Sequence, residues 1–448
     1  MFLSGVIEGF YGPPWSAGDR AALFDQMATW RLDTYLYCPK DDLHHRAIWR
    51  VPYASENLDA MAALVQASHA RGLRFIYGIG PGLDIDYRSD GDRRDLQTRC
   101  VQMLDIGCDG LALLFDDIPD RIDEATLQRW GSLAGAQAAV ANELFVWAHG
   151  QRRDLVAAFC PTPYCGRMAA AGHGGDGYLE QLGSALDASI DVFWTGPEIV
   201  SGEITVAHVR EVAARLQRKP ILWDNLHAND YDGRRMFLGP YAGRPLALRR
   251  ELRGILTNPN TEFPLNQVAV RTLALYLQAD DLWDEREAFL TALREWQPSF
   301  ETVTGAVAFT DLVTVADCYY LPYREGLQAE ALLDSAHRAL TDTSPAWRDE
   351  AQAFVDHATR VRDLCGRLAT LRQRTLFHAL SRRVWDLREE LDLAIRGAQA
   401  RLATADGRVS FRSDFHQPRT YRGGVIARLQ HLLDTDADGA FTAAGNRP

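Results

Sequence analysis

Two aspartates, Asp116 and Asp117, stand side by side directly after the apolar run Leu113-Leu114-Phe115. Neighbouring carboxyls in an apolar setting split their titration, which supplies one acid and one anion. Cleavage of a glycosidic bond needs that division. Adjacent residues of a strand point to opposite faces, so the two share a site only where the chain bends. Helix capping or a loop salt bridge is the plainer alternative. Asp41-Asp42 is a second pair, but it lies between Lys40 and Leu43-His44-His45-Arg46, where internal ion pairing accounts for it. His44, His45, His227 and Asp230 show no HExxH or comparable ligand spacing. Neither a metal nor an organic cofactor is expected. Cys160 and Cys165 read as buried structural thiols.

Residues of this kind need elements to position them. Eight short apolar runs are visible: Gly5–Tyr11, Thr34–Pro39, Arg74–Gly80, Gly110–Phe115, Leu155–Cys160, Asp191–Thr195, Pro220–Asp224 and Gly254–Thr257. Each is almost continuously hydrophobic, as for strands covered on both faces of a parallel sheet. Amphipathic stretches fill the gaps. Ser16 and Asp19 form a capping box ahead of Leu23, Met27 and Trp30. Eight strands alternating with helices predict an α/β chain folded as a (β/α)8 TIM barrel. The alternative, a doubly wound sheet, lacks a G-x-G-x-x-G after its first strand.

Beyond residue 280 the strand signals stop. Leu364, Leu368, Leu371 and Thr375 fall at helical spacing, and Val384, Leu387, Leu391 and Ile395 continue the stripe. The expected layout is a catalytic barrel at 1–278, an all-α helical bundle domain at 279–435 and a flexible tail at 436–448. Heptads in the helical part fit either a homodimer seam or packing against the barrel.

Each apolar run is followed by polar groups: Glu8-Gly9-Phe10-Tyr11, Lys40-Asp41-Asp42, Asp116-Asp117, Thr162-Pro163-Tyr164, Thr195-Gly196, Trp223-Asp224-Asn225 and Asn258-Pro259-Asn260. In such barrels chemistry gathers at these strand ends. Carboxylates, amides, aromatics and one lysine suit a neutral, hydroxyl-rich ligand such as a sugar.

Composition narrows the partners. The 448 residues are 47% hydrophobic and 24% charged, which is globular. The longest apolar runs fall far short of the ~18 residues of a membrane helix. Forty-eight basic against sixty acidic residues give a net charge of −12, which disfavours nucleic acid and anionic membranes. Seven cysteines without a CxxC pair do not make a disulfide scaffold. No secretion signal is visible: Met1–Ile7 is apolar, but Glu8 ends it. A cytoplasmic location is the expectation.

Seven ordered motifs carry more than composition. GVIEGFYGPPW (Gly5–Trp15), YLYCPKDDLHHR (Tyr35–Arg46), LLFDDI (Leu113–Ile118), CPTPYCG (Cys160–Gly166), WTGP (Trp194–Pro197), WDNLHANDYD (Trp223–Asp232) and LTNPN (Leu256–Asn260) together resemble glycoside hydrolase family 84. That family holds the O-GlcNAcase and hyaluronidase-like β-N-acetylglucosaminidases. The resemblance implies a retaining exo-enzyme with substrate-assisted catalysis, in which the sugar's 2-acetamido oxygen attacks the anomeric carbon and forms an oxazoline. It implies that Asp116 polarises the acetamido N–H and that Asp117 is the general acid and base. It places Gly9, Lys40, Asp230 and Asn258 at the sugar hydroxyls, and Tyr164, Thr195, Trp223 and Asn225 around the acetamide. The implied partners are β-GlcNAc-bearing glycopeptides, glycoproteins or oligosaccharides. A hyaluronidase-like endo-enzyme, a glycopeptide-binding barrel and a metal-dependent deacetylase are the rival readings.

Overall fold

The computed structural model describes residues 2–413, 416, 420–421 and 423–444. Eight parallel strands close a barrel in chain order. They are β1 (Leu3–Glu8), β2 (Thr34–Tyr37), β3 (Arg74–Ile79), β4 (Gly110–Leu114), β5 (Val156–Cys160), β6 (Asp191–Trp194), β7 (Ile221–Asp224) and β8 (Gly254–Thr257). Closure comes from pairing of β1 with β8 in the register Leu3 to Gly254. Each strand overlaps the apolar run predicted for it.

Helices follow the first six strands, and the first of them, Ala17–Thr29, starts at the predicted capping box. The Ser16 hydroxyl accepts from the Asp19 N–H at 3.1 Å, and the Asp19 carboxylate accepts from the Ser16 N–H at 3.1 Å. After β7 a short 3-10 turn, Leu246–Glu251, takes the place of an α-helix.

Side chains along the strands alternate between two apolar layers, as the pleat requires. Leu36, Cys38, Ala112, Leu114, Ala158, Cys160 and Ile221 fill the barrel interior. Their neighbours Tyr35, Tyr37, Leu111, Leu113, Phe115 and Phe159 pack outward with helix residues such as Leu23, Phe24 and Met27. The interior is tight: a Cβ on Gly78 would sit 2.7 Å from the Cys38 Cβ.

Two outward-facing carboxylates at strand ends are fully buried and paired. Glu8 accepts from the Trp15 N–H at 2.9 Å, from Arg20 at 2.7 and 2.8 Å, and from the Tyr35 hydroxyl. Asp224 takes a two-pronged contact from Arg244 at 2.7 and 2.8 Å and a bond from the Tyr241 hydroxyl at 2.8 Å. Arg244 also donates to the carbonyls of Ser201, Gly202 and Ala242, so it ties the 201–202 loop and its own loop to the end of β7.

Met1–Tyr231, Tyr241–Phe263 and Val270–Asp284 form the barrel unit, and Asp232–Pro240, Pro264–Ala269 and Glu285–Pro448 form a second unit. The second unit is built mainly on the helices Leu327–Thr341, Trp347–Leu368 and Arg374–Ala403. It departs from the sequence reading in two ways. The stripe through Leu364, Leu368, Leu371 and Thr375 is not one helix. It breaks at 369–373, where Leu371 bridges Thr302 and the Arg372 N–H donates to Glu301 at 2.8 Å. The unit is also not all-α, because Ser410–Phe411, Phe441–Ala443 and Leu433–Thr435 form a small antiparallel sheet. Residues expected in a loose tail therefore make a strand as far as Ala443. A turn with Gly439 at φ 76° reverses the chain, and burial of Phe441 against Phe411 holds the strand down. Residues 445–448 lie outside the described residues. Among the described residues no helix is long and apolar enough to cross a membrane.

Arg244→Leu strands a buried Asp224 charge, so it should destabilise the barrel unit by about 3–5 kcal/mol. Urea unfolding followed by tryptophan fluorescence measures this. An unchanged midpoint would remove the pair from the account of the fold.

Candidate active site

A cavity of roughly 320 Å³ opens at the C-terminal ends of the barrel strands. The alternation of the strands explains most of its lining. Extending the inward-facing rows by two residues leads from Ile7 to Gly9, from Cys38 to Lys40, from Leu114 to Asp116, from Phe193 to Thr195 and from Leu256 to Asn258. Cys160 and Trp223 belong to the same rows. Tyr164, Asn225 and Asp230 reach the cavity from loops, so all ten residues expected at the site line one space.

Asp117 breaks the alternation. The row of Leu113 and Phe115 would carry it outward, yet it lines the same cavity as Asp116. Its backbone is left-handed, with φ 50°. Such a conformation costs about 1–3 kcal/mol and persists only where neighbours enforce it. The Arg46 guanidinium donates to the Asp117 carbonyl. The carboxylate accepts from the Tyr164 hydroxyl at 2.7 Å and from the Tyr11 hydroxyl at 3.1 Å. Burial and the adjacent Asp117 charge raise the pKa of both phenols, so both remain donors.

Asp116 has a different environment. Burial alone would raise its pKa, but the Lys40 ammonium at 2.5 Å outweighs burial and holds the carboxyl below its ordinary range. Asp116 is therefore an anion. Of the expected acid and anion, Asp116 has the environment of the anion. Lys40 thus pairs across the barrel and not with Asp41-Asp42. Asp42 instead accepts from the Tyr37 and Tyr53 hydroxyls at 2.8 and 2.6 Å, and Asp41 is exposed.

The opposite wall is a chain of fixed donors and acceptors. The Trp223 indole N–H can only donate, and it donates to Asn225 Oδ1 at 3.1 Å. That contact fixes the Asn225 amide, whose Nδ2 bonds the Ile199 carbonyl at 2.9 Å. Asn258 Nδ2 then donates to the same Asn225 oxygen at 3.0 Å. The remaining atom, Asn258 Oδ1, is buried without a partner. A buried acceptor in that state costs free energy until a ligand hydroxyl or water meets it. Gly9 lies against Trp223: a Cβ there would come 2.6 Å from the indole. Asp230, half-buried, accepts from the Tyr11 N–H at 2.9 Å. Cys160 lines the cavity, but burial pushes its thiol well up, which suits packing and not nucleophilic attack. Among the described residues no three His, Cys, Asp or Glu side chains gather as a metal site.

The sequence model of the beta-N-acetylglucosaminidase (NAGidase) family matches residues 4–311. This chain belongs to that family. All seven motifs of the family 84 resemblance lie within the match. Protein O-GlcNAcase of Rattus norvegicus and that of Mus musculus are each 43% identical to the chain over 279 residues, 62% of this chain. The matched segment spans 30% of the length of either relative. A solved mutant of Thermobaculum terrenum O-GlcNAc hydrolase shares the fold with a TM-score of 0.79 and 26% identity, over 90% of this chain and 86% of that one.

Sequence reasoning did not single out several groups at this cavity. Tyr11, Ile199, Val200, Ala228 and Tyr231 also line the cavity. Tyr11 and Arg46 stood in the quoted motifs, at the ends of the runs from β1 and β2. No spacing rule shows that a loop tyrosine and a loop arginine meet an aspartate more than seventy residues away.

Lys40→Met leaves Asp116 buried without its cation. In the wild type the depressed folded pKa stabilises the fold above the unfolded value of about 4, and this is lost as pH falls. In the variant burial alone raises that pKa, so ionised Asp116 opposes folding at neutral pH. The Tm gap between the two proteins should therefore narrow as pH falls from 7 towards 4. A gap independent of pH would show that Lys40 does not set the Asp116 charge.

Proposed function

We propose that this chain is a retaining, exo-acting β-N-acetylglucosaminidase of the O-GlcNAcase type, which removes terminal β-linked GlcNAc, including from serine or threonine. One observation carries the reading: two consecutive aspartates share a cavity, one held as an anion by Lys40 and the other held by two phenols. An ionised, lysine-paired Asp116 is a poor acid and a good acceptor, which suits the acetamido N–H. Asp117 is then the acid and base.

In the first step the acetamido carbonyl oxygen attacks the anomeric carbon. Asp117 enters this step protonated; the glycosidic C–O bond breaks, and the leaving oxygen takes that proton. Asp116 accepts a hydrogen bond from the acetamido N–H and stabilises the positive charge that develops there as the oxazoline forms. In the second step Asp117 removes a proton from water, which attacks the anomeric carbon from the side the leaving group vacated. The oxazoline opens with net retention. The nucleophile is built into the substrate, so proximity supplies much of the acceleration. Lys40, Gly9, Asp230 and Asn258 hold the sugar hydroxyls, and the free Asn258 Oδ1 gives one of them an acceptor. Tyr164, Thr195, Trp223 and Asn225 enclose the acetamide.

The cavity size, at the low end for small-molecule sites, supports recognition of one terminal ring. The named relatives support GlcNAc-bearing glycoproteins or glycopeptides as substrates. Cytoplasmic action belongs to the same proposal and is supported by seven free, buried cysteines.

The test is an aryl β-N-acetylglucosaminide series with zero to three fluorines on the acetyl group. Fluorine weakens the acetamido oxygen as a nucleophile, so kcat/KM should fall steeply along the series. A flat but active series would assign the attack to a protein group or to metal-bound water. Turnover of hyaluronan without turnover of the aryl sugar would favour the endo-enzyme.

Two substitutions separate the aspartates. Asp116→Asn should cost at least about 100-fold in kcat on every substrate. Asp117→Asn should cost about 10²–10⁴-fold on a serine-linked sugar and far less on an activated phenol. Equal losses for both leaving groups would remove Asp117 from the acid role.

A further inference from the structure

Arg46 has no role in the steps above, yet it is buried and its two terminal nitrogens reach the proposed acid from two sides. Nη2 donates to the Asp117 backbone carbonyl. Nη1 donates to the Tyr11 hydroxyl at 3.2 Å, and that hydroxyl donates to Asp117 Oδ2 at 3.1 Å. One guanidinium thus holds both the backbone and, through Tyr11, the carboxylate of the same residue. The residue it holds is the one with φ 50°, a conformation that L side chains rarely adopt. Relaxation to an ordinary φ would return the carboxylate to the outward row of Leu113 and Phe115.

We propose that Arg46 is the positioning residue of the acid and base, clamping the left-handed turn that keeps Asp117 in the cavity. The proposal rests on the reading of Asp117 as the general acid. Arg46 itself is not among the residues that line the cavity. Its planar fork supplies two donors to two separate acceptors, whereas a lysine carries equal charge on a single point. The clamp also ranks the two carboxylate oxygens. Oδ1 is covered by Tyr164, 7% exposed, and Oδ2 by Tyr11, 46% exposed. Oδ2 is therefore the more open of the two oxygens, and it keeps the bond from Tyr11.

Arg46→Lys tests the clamp, because it keeps the charge and removes the fork. Four proteins are compared on an activated aryl β-N-acetylglucosaminide and on a serine-linked GlcNAc peptide: wild type, Arg46→Lys, Asp117→Asn and the double variant. Arg46→Lys should lower kcat/KM on the peptide by about 10–100-fold, within the range of acid catalysis, and on the aryl sugar by less than about threefold. The loss should lie in kcat with KM unchanged. In the Asp117→Asn background Arg46→Lys should add nothing, since the two act as one unit. Tyr11→Phe is the second variant. It removes one hydroxyl and should show the same leaving-group pattern at smaller size.

A uniform loss on both substrates, or an additive loss in the double variant, would make Arg46 a scaffold residue and overturn the clamp. If Arg46→Lys fails to fold, Tyr11→Phe decides: no selective loss on the peptide rejects the proposal. Should Asp117→Asn itself lose activity equally on both substrates, the acid assignment fails, and the role of Arg46 fails with it. That outcome is read from the single Asp117 variant, so the two failures are distinguishable.

Discussion

Neighbouring side chains of a strand point to opposite faces, and this barrel has two neighbouring carboxylates in one cavity. The left-handed backbone at Asp117 resolves the conflict, and much of the site is arranged around it. Tyr164 and Tyr11 hold its carboxylate, Arg46 holds its carbonyl, and Asp230 holds the backbone of Tyr11. Strain of this kind persists only when several contacts agree, and here they come from the ends of strands β1, β2, β4, β5 and β7. The closed barrel is what brings those five ends together.

Charge compensation is the second constraint. Glu8, Asp116 and Asp224 all sit at strand ends with little or no exposure. Each has a cation in contact: Arg20, Lys40 and Arg244 respectively. The outward pairs, Glu8–Arg20 and Asp224–Arg244, bind the first helix and the Arg244 loop to the barrel. The inward pair, Lys40–Asp116, faces the cavity and fixes the charge of Asp116. The same pairing thus ties elements together on one face of a strand and sets a charge in the cavity on the other, and the pleat decides which.

Much of this was legible in the residues. The eight apolar runs gave the barrel because strands buried on both sides must be hydrophobic throughout. Polar residues at their ends gave the lining because the cavity lies where those strands stop. The pairing of Lys40 with Asp116 was not legible, and Lys40 looked like a local partner for Asp41-Asp42. Contacts across seventy-six residues leave no spacing signal when each end is a loop. In the second unit, the break at 369–373 was hidden because leucines on either side kept the helical period.

By itself, then, the sequence determined the eight-stranded barrel, the family and ten of the residues that line the cavity. These follow from local patterns: hydrophobic runs, capping residues and motifs at run ends. Only the tertiary structure decided that Asp116 is an anion, that Asp117 turns left-handed into the cavity, that Arg46 and Tyr11 hold it there, and that Asn258 Oδ1 is left without a partner. The charge of a carboxyl and the direction it faces depend on groups brought close by closure of the barrel, and closure joins residues that the chain keeps far apart.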